Sequence, residues 1–125
     1  MKKSLIIFII ISFTIFAFSG LISAQIYKNI EFEIGYSNSS EELQAGGTVT
    51  INENPKDKAN ITGKVYGLIP EHLYMLFGID IDEVFTTSKS GTANIHYLHP
   101  SDTVWGYLFI INYDTGDIVL RIDSI

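Results

Sequence analysis

His96 and His99, with Asp102 close behind in the stretch HYLHPSD, are the residues whose types come nearest to a metal site. Imidazole nitrogens and carboxylate oxygens are zinc ligands, and a closed site needs about four of them aimed at one point. The spacing works against it. Residues three apart on a strand face opposite sides, so joint ligation requires Leu98-His99-Pro100 to turn the chain. No cluster with tight ligand spacing accompanies them. The expectation is no bound metal, with His96 and His99 as the weak candidates and both rings in solvent. His72 is expected at the surface as well.

Asp80, Asp82 and Glu83 offer oxygens to calcium, with Asp114 or Asp117 as further donors. Calcium takes about six to eight oxygens, usually from one loop. Asp80 and Asp82 on one strand share a face and make a pair, not a cage. A solvated edge is the simpler reading, and such charges also keep sheets from pairing edge to edge. Asp114-Thr115-Gly116 has the residues of an aspartic protease loop. That chemistry needs a twin carboxylate sharing one proton, and these residue types are the ones turns use. No cysteine is present. No Ser/His/Asp order with a nucleophile-elbow glycine pattern occurs, and the glycines lack phosphate-loop spacing. No enzyme and no cofactor are therefore expected.

The strongest functional pattern is aromatic. Trp105, Tyr107 and Phe109 alternate along one strand face. Facing outward, they make a platform that stacks on sugar rings or seats a protein partner. Facing inward, they are core, which is the favoured fate because large aromatics fill sandwich interiors.

The elements that must position these residues have period two. Ile30, Phe32, Ile34 and Tyr36 alternate with Glu31, Glu33 and Gly35, which predicts a strand with one wet face. Further strands are predicted at 48–51, 61–67, 74–81, 84–87, 93–98, 104–111 and 118–122. The runs 74–81 and 104–111 are apolar on both faces, as central strands are. Ser39 and Glu42 have capping-box spacing within the loop 37–47. Turns fall at 52–59, 88–91 and 114–117. About seven or eight short strands at regular spacing predict an all-β sandwich, one domain over residues 25–125.

The corner between two of these strands reads Leu68-x-Pro70-x-x-x-Tyr74 after Gly67. It resembles the tyrosine corner of fibronectin type III and related immunoglobulin-like sandwiches. The resemblance covers about ten residues and implies a Greek-key, immunoglobulin-like fold. It also implies that Tyr74 opens a strand and that its hydroxyl bonds the backbone upstream, bracing the passage between sheets. Leu68, Pro70 and Tyr74 are then architectural. Pro70 stiffens the arch by holding its φ near about −65°. Leu76 stands where antibody domains place a core cysteine. The likeness has a limit: four predicted strands follow Tyr74, where a fibronectin domain would be nearly finished.

The first residues, MKKSLIIFIIISFTIFAFSGLISAQ, have the layout of a secretory signal peptide over residues 1–24. Cleavage after Ala24 is favoured over an uncleaved anchor, which would be the chain's one attachment to a membrane. Either route puts residues 25–125 outside the cytoplasm, secreted or at the cell surface. The whole chain carries −6, and without Lys2 and Lys3 the remaining six basic and fourteen acidic residues give −8. The basic residues are scattered, so nucleic acid is not an expected partner. Asn38 and Asn60 begin glycosylation sequons. The expected role is a non-catalytic exported module for cell-surface structure, adhesion or binding of a protein or glycan partner. The alternative is a carbohydrate-binding module using the aromatic strand face. A small metal-dependent enzyme stands behind both.

Overall fold

Strands form along both the alternating and the wholly apolar runs, and a computed structural model describes them over residues 25–125. The predicted signal peptide lies outside the described residues. The strands are β1 (Ile26–Glu31), β2 (Glu33–Ile34), β3 (Gly46–Glu53), β4 (Asn60–Tyr66), β5 (Leu73–Gly78), β6 (Ile81–Thr86), β7 (Ala93–Leu98), β8 (Leu108–Asn112) and β9 (Ile118–Ile122). They build two antiparallel sheets, one of order β1-β3-β4-β7 and one of order β2-β9-β8-β5-β6. The fold is an all-β sandwich.

The inward residues of both sheets make one core. Val49, Ile51, Ile61, Val65 and Ile95 come from the four-stranded sheet; Tyr74, Leu76, Leu108, Ile110 and Leu120 come from the five-stranded sheet. Alternation places them there, because successive side chains on a strand leave on opposite faces. The chain changes sheet between β1 and β2, between β2 and β3, between β4 and β5, between β6 and β7, and between β7 and β8.

Three predicted strands are broken in the structure, and the prediction 84–87 is the latter part of a strand that opens at Ile81. The first is split at Phe32. β1 pairs with β3 in one sheet, and β2 pairs with β9 in the other. Phe32, 6% exposed, sits at the switch and donates its N–H to the Gly47 carbonyl at 2.9 Å. Ile34 and Tyr36 do not continue a buried face; both are exposed, because the chain past Phe32 runs along the rim of the second sheet with a strand on one side only.

The second, 74–81, folds back at a two-residue turn. Asp80 takes a left-handed conformation, φ 61°, and Ile81 opens β6. Asp80 therefore shares no strand with Asp82. The third, 104–111, starts only at Leu108. Gly106 interrupts it at φ 89°, and a Cβ there would meet Ile79 at 2.4 Å. Before that break the Val104 N–H is held by the carboxylate of buried Glu53 at 2.8 Å.

Candidate functional site

The two outer faces of the sandwich differ in chemistry. On the four-stranded sheet one cross-strand row reads Asn29, Thr50, Thr62, His96. Thr50 donates its hydroxyl to the Asn29 carbonyl oxygen at 2.7 Å. On the five-stranded sheet the corresponding row reads Glu33, Arg121, Phe109, Phe77, Asp82. Around it lie half-buried Met75 and Ile111 and exposed Leu73 and Val84. Tyr107 stacks on Phe109 with ring centroids 4.8 Å apart and tilts toward Phe77 at 6.1 Å. The apolar runs 74–81 and 104–111 thus have one face in the core and the other open.

This overturns the inward placement of the aromatic stripe. Leu108 and Ile110 take the core side, and Tyr107 and Phe109 the outer side. Trp105 is 59% exposed. It belongs to the segment before β8, not to the strand, and is not one of the stacked rings. Phe77 joins the stack; its sequence signal was its central place in the run 74–81.

A second surface lies along the edge where β6 and β7 face each other. A cleft of about 380 Å³ opens there between Lys64, Phe85, Ser88, Thr92 and Asn94. A smaller recess of about 130 Å³ continues it between Leu76, Glu83, Phe85, Ile95 and His96. Its floor is apolar and its rim polar. Sequence reasoning missed this site. The available signal was Glu83, a charge standing between Ile81 and Phe85 at an inward position of the alternation.

At the corner, Leu68 is buried, Pro70 is exposed and Tyr74 is wholly buried. The Tyr74 hydroxyl accepts the Ile69 N–H at 3.0 Å and donates to the Glu42 carboxylate at 2.5 Å. Glu42 is 3% exposed and also accepts from Ser37 at 2.7 Å and from the Asn112 amide at 3.1 Å. The predicted capping box is therefore replaced. The Ser39 hydroxyl does cap the 3-10 turn Ser40–Glu42, accepting from the Glu41 N–H, but Glu42 serves the core. Burial, and then the hydrogen bond to Glu42, push the Tyr74 hydroxyl well above the ordinary tyrosine range; the Ile69 N–H pulls the other way.

Two of the three histidines, His72 and His99, are not where the sequence put them. His72 is half-buried, with Nε2 3.0 Å from the Asn112 side-chain oxygen and 3.5 Å from Asp114. Since Asn112 gives its amide to Glu42, its oxygen is the atom turned to His72 as an acceptor. His99 is 2% exposed, not solvated. Its Nδ1 accepts the Ser101 N–H at 3.2 Å, which leaves the Nε2 proton for the Ile79 carbonyl at 3.3 Å. It braces the β5–β6 turn against the segment after β7. His96 is exposed on β7. Among the described residues no group of three or more His, Cys, Asp or Glu side chains converges as a metal site.

Asp114 lies in the β8–β9 turn, where the Asn112 oxygen gathers the N–H groups of Asp114 and Thr115. Asn38 is exposed in a loop, and Asn60 opens β4 half-buried. No helix among the described residues is long and apolar enough to cross a membrane. Comparison with protein-family models, curated proteins and solved structures gave no match.

Proposed function

We propose that this protein is an exported, non-catalytic binding module that meets a protein partner through the outer face of its five-stranded sheet. The carrying observation is the contrast between the two outer faces. One has a central row of Asn29, Thr50, Thr62 and His96, with Tyr27, Tyr66 and Leu98 only toward its ends; the other sets Phe77, Tyr107 and Phe109 together at its centre among Met75, Ile111, Val84 and Leu73. A contiguous apolar patch on a folded domain marks a contact surface. Export is supported by the residue order of positions 1–24. An immunoglobulin-like, Greek-key reading of the sandwich is supported by the Ile69–Tyr74 hydrogen bond and the repeated changes of sheet.

A carbohydrate-binding reading is favoured by one feature. The aromatic row ends in Arg121 on one side and Asp82 on the other, polar groups flanking rings on which a sugar would stack.

One experiment separates the readings. Cells or matrix are probed with the exported domain, and with Tyr107→Ser/Phe109→Ser, while Trp105 fluorescence is followed during oligosaccharide titration. A protein partner predicts capture of a protease-sensitive binder that the double variant loses. A glycan predicts a saturable fluorescence change that the same variant loses. Unaltered capture by the variant defeats both readings. Export is checked by sequencing the N-terminus of secreted protein, which should begin at Gln25.

A further inference from the structure

We propose that the open edge between β6 and β7 accepts an extended peptide strand with alternating apolar and basic residues, donated by another polypeptide. The site adjoins the aromatic face, and Asp82 and Val84 border both.

The argument starts from backbone bookkeeping. β6 is the last strand of its sheet and β7 the last strand of the other. Gly78 and Ile81 close a two-residue turn, and such a closing pair exchanges both hydrogen bonds, with bonded and unbonded pairs alternating outward from it. Ile81, Glu83 and Phe85 therefore bond back to β5. The Thr87 N–H on the His72 carbonyl, 3.0 Å, has the same parity. The N–H and C=O groups of Asp82 and Val84 consequently point out of the sheet, a ready template for one more strand.

The cleft then specifies side chains. A strand added beside β6 sends alternate side chains inward, toward the recess floored by Leu76, Phe85 and Ile95. Valine-sized groups suit a recess of about 130 Å³. The other side chains emerge beside Asp82, with Asp80 in the adjoining turn, while Glu83 stands on the recess side. None of these three carboxylates has a salt bridge among the described residues. Charge complementarity therefore selects Lys or Arg at the outward positions, and the net −8 of residues 25–125 draws such a segment in.

The opposite edge shows that the fold takes such a strand. There the chain's own residues 26–34 pair with β3 and then with β9, and Phe32 plugs the seam. The β6–β7 edge lacks that strand and keeps the cleft.

The test uses a fluorescent peptide alternating valine and lysine, about 6 residues long to match β6. Anisotropy should show saturable binding, weaker by at least about tenfold when glutamate replaces lysine. Amide exchange should slow at Asp82 and Val84 on binding. Val84→Pro removes an outward N–H, a place where an edge strand tolerates proline, and should abolish binding with the melting temperature little changed. If Val84→Pro does not fold, the native protein is tested with a peptide N-methylated on the amides facing β6, which should not bind. The proposal is overturned by no saturable binding of the valine–lysine peptide, by equal binding of the glutamate peptide, by full binding to folded Val84→Pro, or by undiminished binding of the methylated peptide.

Discussion

One lateral edge of this sandwich is stitched shut and the other is open. On the closed side a single length of chain is the outermost strand of both sheets, with Phe32 sunk at the crossing. On the open side β6 and β7 approach without sharing a strand, and a cleft reaches Leu76 and Ile95. The difference teaches how a small domain without disulfides divides its labour. The closed edge supplies stability by burying an aromatic ring and satisfying backbone groups. The open edge leaves backbone groups unspent, with Glu83 a charge on its recess side, the kind of residue that works against pairing of identical chains.

The comparison breaks most easily at Phe32. Phe32→Ala should cost about 3–5 kcal/mol in urea unfolding, whereas Phe85→Ala on the open side should cost at most about 1–2 kcal/mol, since that ring is only partly buried. Equal losses would mean that the two edges are energetically alike.

The connector that leaves the closed edge is anchored by Glu42 on Tyr74 and Asn112. Tyr74→Phe strips a donor from a buried carboxylate and an acceptor from the Ile69 N–H, a loss of about 2–3 kcal/mol by chemical denaturation. The same residue predicts a pH effect. Its folded-state pKa is raised above the unfolded value of about 10. The stabilisation is therefore whole below about pH 10 and declines as pH climbs past it, when the unfolded chain ionises first. Tyr74→Phe should be less stable near neutral pH but flatter in its alkaline dependence. A parallel decline in both proteins would remove Tyr74 as the cause.

The smallest stability effects belong to the open edge. Amides of Asp82 and Val84 should exchange quickly and those of Glu83 and Phe85 slowly, read by hydrogen exchange with NMR detection. Glu83→Val should change stability by no more than about 0.5 kcal/mol, yet promote concentration-dependent self-association in sedimentation. A monomeric Glu83→Val would show that the charge does not guard this edge.

Much of the scaffold was legible from residue order. β7 and β9 fall at their predicted positions, 93–98 and 118–122. The turns at Ser88–Gly91 and Asp114–Asp117 stand between strands. The failures have physical causes. The strand through Phe32 continues its local alternation while changing sheets, which no local signal records. The run 104–111 looked unbroken because Gly106 tolerates either hand of φ. His99 was read as solvated because its partners, Ile79 and Ser101, meet it only when the segment after β7 folds over the β5–β6 turn.

Residue order by itself determined that residues 25–125 form short antiparallel strands with a wet side and a dry side, since a two-residue repeat is a local property of extended backbone. It could not decide which side of β8 is dry. Tyr107 and Phe109 on one side and Leu108 and Ile110 on the other are both apolar, so the period reads the same in either orientation. Register with β5 and β9 chose Leu108 and Ile110 for the core. Likewise, the free edge at β6 exists only because two consecutive strands enter different sheets and each ends its own, a fact of assembly that no stretch of sequence contains.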